Sequence, residues 1–197
     1  MDYLVRDARR EEAKELAILV NHAGTGPNNT GLDIVGWTLA AKDGEGPFDY
    51  GGRIVADEDG IYSYRNMRVV EANGKVAAMS LCFEAFKRTS AEMNQIAEEF
   101  RIFKELTNMI PGEFYLDSLA AAPEFRGQGF GRIMLEDSIE KARTQGYRCV
   151  YLIAFADNVA GVALYEKSGF YAVSTKTASD HPDMPYAGEV VLYKKNV

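Results

Sequence analysis

Cysteine and histidine are scarce in this chain, and their scarcity narrows its chemistry. Two cysteines, Cys82 and Cys149, stand in apolar runs with no C-x-x-C pair, and the histidines are His22 and His181 alone. Dedicated zinc sites draw on closely spaced Cys and His, so no metal is expected. Isolated cysteines in apolar runs read as reduced and buried, which makes the cytoplasm the expected setting. Covalent transfer through cysteine is disfavoured, since neither has a histidine beside it in sequence. No apolar run approaches the roughly 20 residues of a membrane span, and the opening MDYLVRDARREEAKEL lacks the apolar core of a signal peptide. Basic charge is in deficit as well: 22 Lys and Arg against 29 Asp and Glu leave a net charge of -7. That argues against nucleic acid or an anionic membrane as partner. It favours cationic partners, or serves only solubility. Internal repeats and low-complexity linkers are also missing, so one α/β domain over 1–197 is the economical reading.

What is present is ordinary in bulk, with 47% hydrophobic and 26% charged residues. YLVR (3–6) reads as a strand and 8–22 as a helix with Ala13, Leu16, Ala17 and Val20 on one stripe. GTGPNNTG (24–31) and DGEGPFDYGG (43–52) read as loops by composition, with a helix at 32–42 between them. The Asn-Gly signal at 73–74 predicts a hairpin over 64–86. Residues 90–108 read as a helix stopped by Pro111-Gly112, and 113–122 as a strand ended by Pro123. A helix over 130–145 follows, with Gly146 at C′. CVYLIAF (149–155) predicts a strand buried on both faces. A short helix at 159–168 and strands at 170–176 and 188–195 complete the order.

The stretch RGQGFG (126–131) sets glycines at alternate positions immediately before an apolar helical pattern. Glycine permits a tight turn and lets a ligand approach the main chain. The first N–H groups of a helix lack internal partners and lie at the positive end of its dipole. Together they suit an anion, phosphate above all, with Arg126 and Arg132 flanking it. The order is not the G-x-G-x-x-G of a dinucleotide fold, and the Gly-Lys-Ser/Thr of a P-loop is absent. Taken alone, the stretch is equally compatible with a flexible loop and close helix packing.

Its neighbours decide between the two. YLDSLAAAPEFRGQGFGRIML followed by NVAGVALYEKSGF resembles the GCN5-related N-acetyltransferase (GNAT) family. Arg126, Gly129 and Gly131 match the family's Q/R-x-x-G-x-G/A signature. Leu119 to Pro123 match its apolar lead-in, with small Ala121 where a larger aliphatic is usual. Asn158, Tyr165, Gly169 and Phe170 loosely match a second signature. The strong likeness covers about residues 113–172.

The resemblance implies a mixed central β-sheet of about six to seven strands flanked by helices. The parallel strands at 113–122 and 149–155 splay apart to form the acyl-CoA cleft. Main-chain groups of Leu119, Ala120 and Ala121 would hold pantetheine. Those of Gly127, Gln128, Gly129, Phe130, Gly131 and Arg132, with Arg126 beside them, would hold the pyrophosphate. Acetyl-CoA is then the acyl donor and a primary amine the acceptor. The acceptor is expected to be a small molecule; a peptide N-terminus or lysine, and a non-catalytic acyl-CoA-binding module, stay open, as does a homodimer. An alkylammonium, with a pKa near 10.4, must lose a proton before it attacks, and the oxyanion that forms needs a fixed N–H, expected near Leu119.

Tyr165 stands where the family keeps its general acid, though an aromatic on a short helix also reads as core. Asn158 is a cofactor contact, an N-cap, or both. Asp117 is the candidate base or amine anchor, sharing a strand face with Tyr115. Its rival role is a structural acid bonded to the backbone. Glu84 is a second candidate base, and Ser118 points the other way. Trp37, Phe48, Tyr50, Tyr62 and Tyr64 line an acceptor pocket or are ordinary packing.

Overall fold

Runs of alternating and β-branched residues, broken by turn residues, set the strands of the computed structural model, which describes residues 2–26, 31–178, 181 and 184–197. The chain begins with β1 (Tyr3–Asp7), a 3-10 turn and α1 (Ala13–Ala23), then α2 (Leu32–Ala40) and α3 (Pro47–Val55). Next come β2 (Met67–Ala72), β3 (Lys75–Glu84), α4 (Ser90–Asn94), α5 (Glu98–Thr107) and β4 (Phe114–Ala121). α6 (Phe130–Thr144), β5 (Cys149–Phe155), α7 (Val159–Lys167), β6 (Tyr171–Ala178) and β7 (Gly188–Asn196) complete it. The strands form one mixed sheet in the order β1-β2-β3-β4-β5-β7-β6. β4 and β5 run parallel, whereas β1–β2, β2–β3, β5–β7 and β6–β7 are antiparallel. β5 lies between β4 and β7, which explains its apolar run.

By packing, the chain divides into two units, 1–82 with 118–138 and 83–117 with 139–197. In the first, α1 and α2 both pack on α3. Arg68 clips β2 to α6 through Asp137 (2.6 Å). In the second, α5 packs on β6 and β7, and Phe103 meets Phe155 edge-on at 5.6 Å.

Two expectations fail. Residues 47–55 are helical rather than loop: Pro47 takes the first position, where its missing N–H costs nothing. Gly51 and Gly52 are used for close packing inside that helix. A Cβ on Gly51 would lie 2.6 Å from the Trp37 ring, and one on Gly52 3.3 Å from the Lys14 Cα. The single helix expected over 90–108 is two. Thr89 caps the first in a capping box with Glu92, and Ala97 is extended at ψ 141° before the second. Of the loop expected over 24–31, residues 27–30 lie outside the described residues.

Candidate active site

Two buried rings pin the ends of the glycine stretch. Phe125, in the 3-10 turn after β4, meets Phe130 edge-on at 5.9 Å, and Phe130 meets Tyr3 at the same distance. Between them Arg126 to Gly129 are exposed. Gly127 (φ 74°) and Gly129 (φ 86°) are left-handed, a conformation that side chains disfavour. A Cβ on either would meet nothing within 4 Å. Backbone conformation therefore dictates these glycines, and the space above them is open. Arg132 and Ile133 both donate to the Gly129 carbonyl (3.1 and 3.2 Å), so the N–H groups of Phe130 and Gly131 precede the first helical bond. This is the arrangement a phosphate fits.

The flanking side chains are unequally committed. Arg132 is paired with Glu136 (2.8 Å), and Gln128 donates to the Glu124 carbonyl (3.0 Å), bracing the loop. Arg126 is exposed, and its charge reaches His22: burial first, then Arg126, hold that imidazole below its ordinary range. The His22 Nδ1 is buried with no hydrogen-bond partner among the described residues.

Along β4, Asp117, Leu119 and Ala121 are half-buried on one face, whereas Leu116, Ser118 and Ala120 are buried on the other. The parallel register of β4 with β5 covers three pairs, Phe114 with Val150 to Leu116 with Leu152. That of β5 with β7 covers seven. At the start of α7, Asn158 Oδ1 accepts from Gly161 N (3.1 Å), the N-cap role. A Cβ on Gly161 would meet the Asn158 amide at 2.7 Å, so that glycine makes room for the cap. Tyr165 packs its ring 6.2 Å from Phe170 and 6.4 Å from Tyr193. Burial pushes its phenol up to about 12, and the hydroxyl makes no hydrogen bond among the described residues.

Residues 43–170, which include this loop and Tyr165, match the model of the acetyltransferase (GNAT) family. The chain belongs to the GNAT family. A ribosomal protein bS18-alanine N-acetyltransferase from Salmonella typhimurium is 34% identical over 83 residues, 40% of this chain and 56% of that one. The chain spans about half the length of the curated relatives it matches, 56% and 44% in two cases. Among solved structures, an N-acetyltransferase from Staphylococcus aureus Mu50 superposes with a TM-score of 0.65 at 19% identity, covering 98% of this chain and 100% of that one. A NatC complex bound to Gag peptide and CoA gives 0.61 at 13% identity, covering 100% and 99%. At these identities the structures establish the GNAT fold, including its seven-stranded mixed sheet.

Within this GNAT chain the weaker candidates fall into place. Glu84 accepts from Tyr147 Oη (2.8 Å), and the neighbouring Ala85 N donates to the Glu113 carbonyl (2.8 Å). Glu84 thus sits beside the first residues of β4, at the end away from the glycine loop. Burial and then Glu84 push the Tyr147 phenol up to about 12. Trp37 is buried between α2 and α3 with Phe48 edge-on at 6.2 Å, so it packs helices rather than lining a pocket. Tyr62 donates to Asp33 (3.2 Å). One residue escaped the sequence reading: Tyr151, opposite Tyr115 in the β4–β5 register and half-buried. A lone tyrosine among the aliphatics of CVYLIAF was the only signal for it.

Proposed function

We propose that residues 1–197 act as one acetyl-CoA-dependent N-acetyltransferase domain whose acceptor is a primary amine of a small molecule. The carrying observation is the pair of left-handed glycines with open space above them at the start of α6, in a chain of the GNAT family. Main-chain N–H groups of Gly127 to Gly131 hold the pyrophosphate and Arg126 adds charge, while the Arg132 N–H, bonded to the Gly129 carbonyl, closes the cradle. Main-chain groups of Leu119 to Ala121 hold pantetheine. The three-pair register supports this, because a parallel strand that runs on past its pairing offers main-chain groups to a ligand. Asn158 adds its amide Nδ2, the Oδ1 serving the cap.

When bound, acetyl-CoA supplies an acetyl group activated as a thioester. Asp117 takes the ammonium proton of the acceptor or anchors that ammonium while water takes it. The N–H near Leu119 stabilises the developing oxyanion. In the balance, an N–C bond forms as the C–S bond breaks, the amine proton leaves through Asp117 or water, and the sulfur departs as thiolate. Burial pushes the Tyr165 phenol up to about 12, which keeps it in the protonated, donating form. Tyr165 therefore serves as hydrogen-bond donor to the departing sulfur, and water completes its protonation. The cytoplasm is the setting proposed with this chemistry. A second reading, a protein N-terminal amine as acceptor, is favoured by the names of the curated relatives.

Free-thiol release against a panel of amines and peptides tests the proposal. Acetyl-CoA should raise the melting temperature, since it binds only the folded state. Small amines should then release thiol, and Tyr165→Phe should lower kcat about 10- to 100-fold while acetyl-CoA affinity stays within about twofold. Release with peptides alone would hand the acceptor to the second reading. A thermal shift with no release from any amine would leave only a binding module.

A further inference from the structure

The sheet face that carries Asp117 differs from its reverse. Alternation along β4 sets Tyr115 and Asp117 on one side and Phe114 and Leu116 on the other. The reverse side is closed: Phe114, Leu116, Val150 and Leu152 are at most 2% exposed. On the Asp117 side, Phe83 meets Tyr115 edge-on at 5.5 Å, and Tyr151 stands opposite Tyr115 in the register. Phe83, Tyr151 and Asp117 are all half-buried. Lys194, opposite Tyr151 on β7, sets its Nζ 5.7 Å from the Tyr151 ring centre. Three rings thus cross β3, β4 and β5 in a row, and a cation closes the outer end. Asp117 lies two residues further along β4 than Tyr115, about 7 Å.

We infer that this row is the acceptor subsite and that it takes a monoamine with an aromatic or bulky apolar body, its ammonium at Asp117 and its body across Tyr115 and Tyr151. The inference rests on the acetyltransfer proposed above. A carboxylate beside aromatic faces attracts an alkylammonium through charge and the ring quadrupole. The rings supply apolar contact that a small polar amine cannot use. One strand step of about 7 Å matches the reach from the nitrogen of an arylethylamine into its ring. Lys194 sets the exclusion: a second ammonium at the far end of the acceptor would meet like charge beside Tyr151. The row that holds a monoamine therefore rejects a diamine of similar length.

Calorimetric titration of CoA-saturated protein with 2-phenylethylamine, ethanolamine and 1,4-diaminobutane reads the subsite without turnover. The affinity for 2-phenylethylamine should exceed the other two by at least about tenfold. Tyr151→Ala should weaken 2-phenylethylamine about tenfold and leave ethanolamine within about twofold. Lys194→Gln, which keeps most of the half-buried side chain and removes its charge, should strengthen 1,4-diaminobutane several-fold. Equal affinities for the three amines, or affinities that neither variant moves, would overturn the inference. Thiol release in parallel separates the two layers. Selective binding without release keeps the subsite and sinks acetyltransfer; release with all three amines at equal rates keeps acetyltransfer and sinks the subsite.

Discussion

Gly51 and Gly52 sit in helical backbone against neighbours already in place, the Trp37 ring at 2.6 Å and the Lys14 Cα at 3.3 Å from where a Cβ would stand. Gly127 and Gly129 reverse both conditions, with φ of 74° and 86° and nothing within 4 Å. At the first pair, glycine is required by what the protein packs there. At the second, it is required by the backbone, and the space beside it is open. Glycine density alone does not separate the two cases; the flanks do. Gly46-Pro47 opens a helix that runs through its glycines, whereas Pro123 ends a strand and the glycines precede a helix.

The largest expected effect falls on the open pair. Gly129→Val should cost more than about 100-fold in acetyl-CoA affinity, about 2.7 kcal/mol, and remove the thermal shift. A β-branched residue both resists the left-handed conformation and fills the open space. An unchanged shift would show that the main chain there is not the contact. Gly51→Ala should do the converse. Its Cβ displaces a buried Trp37, and the overpacking outweighs the gain in helix propensity by about 1–2 kcal/mol. Melting should fall by a few degrees with the acetyl-CoA shift intact. Loss of that shift in Gly51→Ala would erase the distinction between the two pairs.

Much of this was legible wherever the signal is local. Gly146 was assigned to C′ from sequence, and both bonds of that motif are made, Gly146 N to Arg143 O and Tyr147 N to Ala142 O, each 3.0 Å. Asn73 and Gly74 are left-handed as their hairpin turn requires. The glycine loop, Asn158 and Tyr165 stand out in the sequence because each belongs to a short motif. Helix α3 was misread because the partner that makes Gly51 useful, Trp37, lies 14 residues away and gives no local sign. The break at 95–97 carries no Gly or Pro, so the helical period runs through it. The row of Phe83, Tyr115, Tyr151 and Lys194 depends on register across four strands, which no single stretch encodes.

The smallest expected effect is electrostatic and lies on α1, the helix against which Gly52 packs and whose flank feels Glu124 before the glycine loop. Two carboxyls one turn apart are pushed in opposite directions. Burial alone would raise Glu12, but hydrogen bonds from Arg6 (2.5 Å) and the Arg9 N–H (2.8 Å) outweigh it and hold its pKa below the ordinary 4.5. Burial, then Glu12 and Glu124, raise Glu15. The signs follow from linkage. Stability supplied by Glu12 is present above 4.5 and lost as pH falls through its folded value. The cost of Glu15 is present above its raised folded value and relieved as pH falls from there to 4.5. Glu12→Gln should therefore lower stability at pH 7 by about 1 kcal/mol, read as a fall in melting temperature, and flatten the acid limb below 4.5. Glu15→Gln should raise it at pH 7, with the difference from the parent gone by pH 4.5. Melting curves of both variants across pH 3–8 check the pair, and parallel shifts of the same sign would show that α1 does not hold these carboxyls in opposed environments.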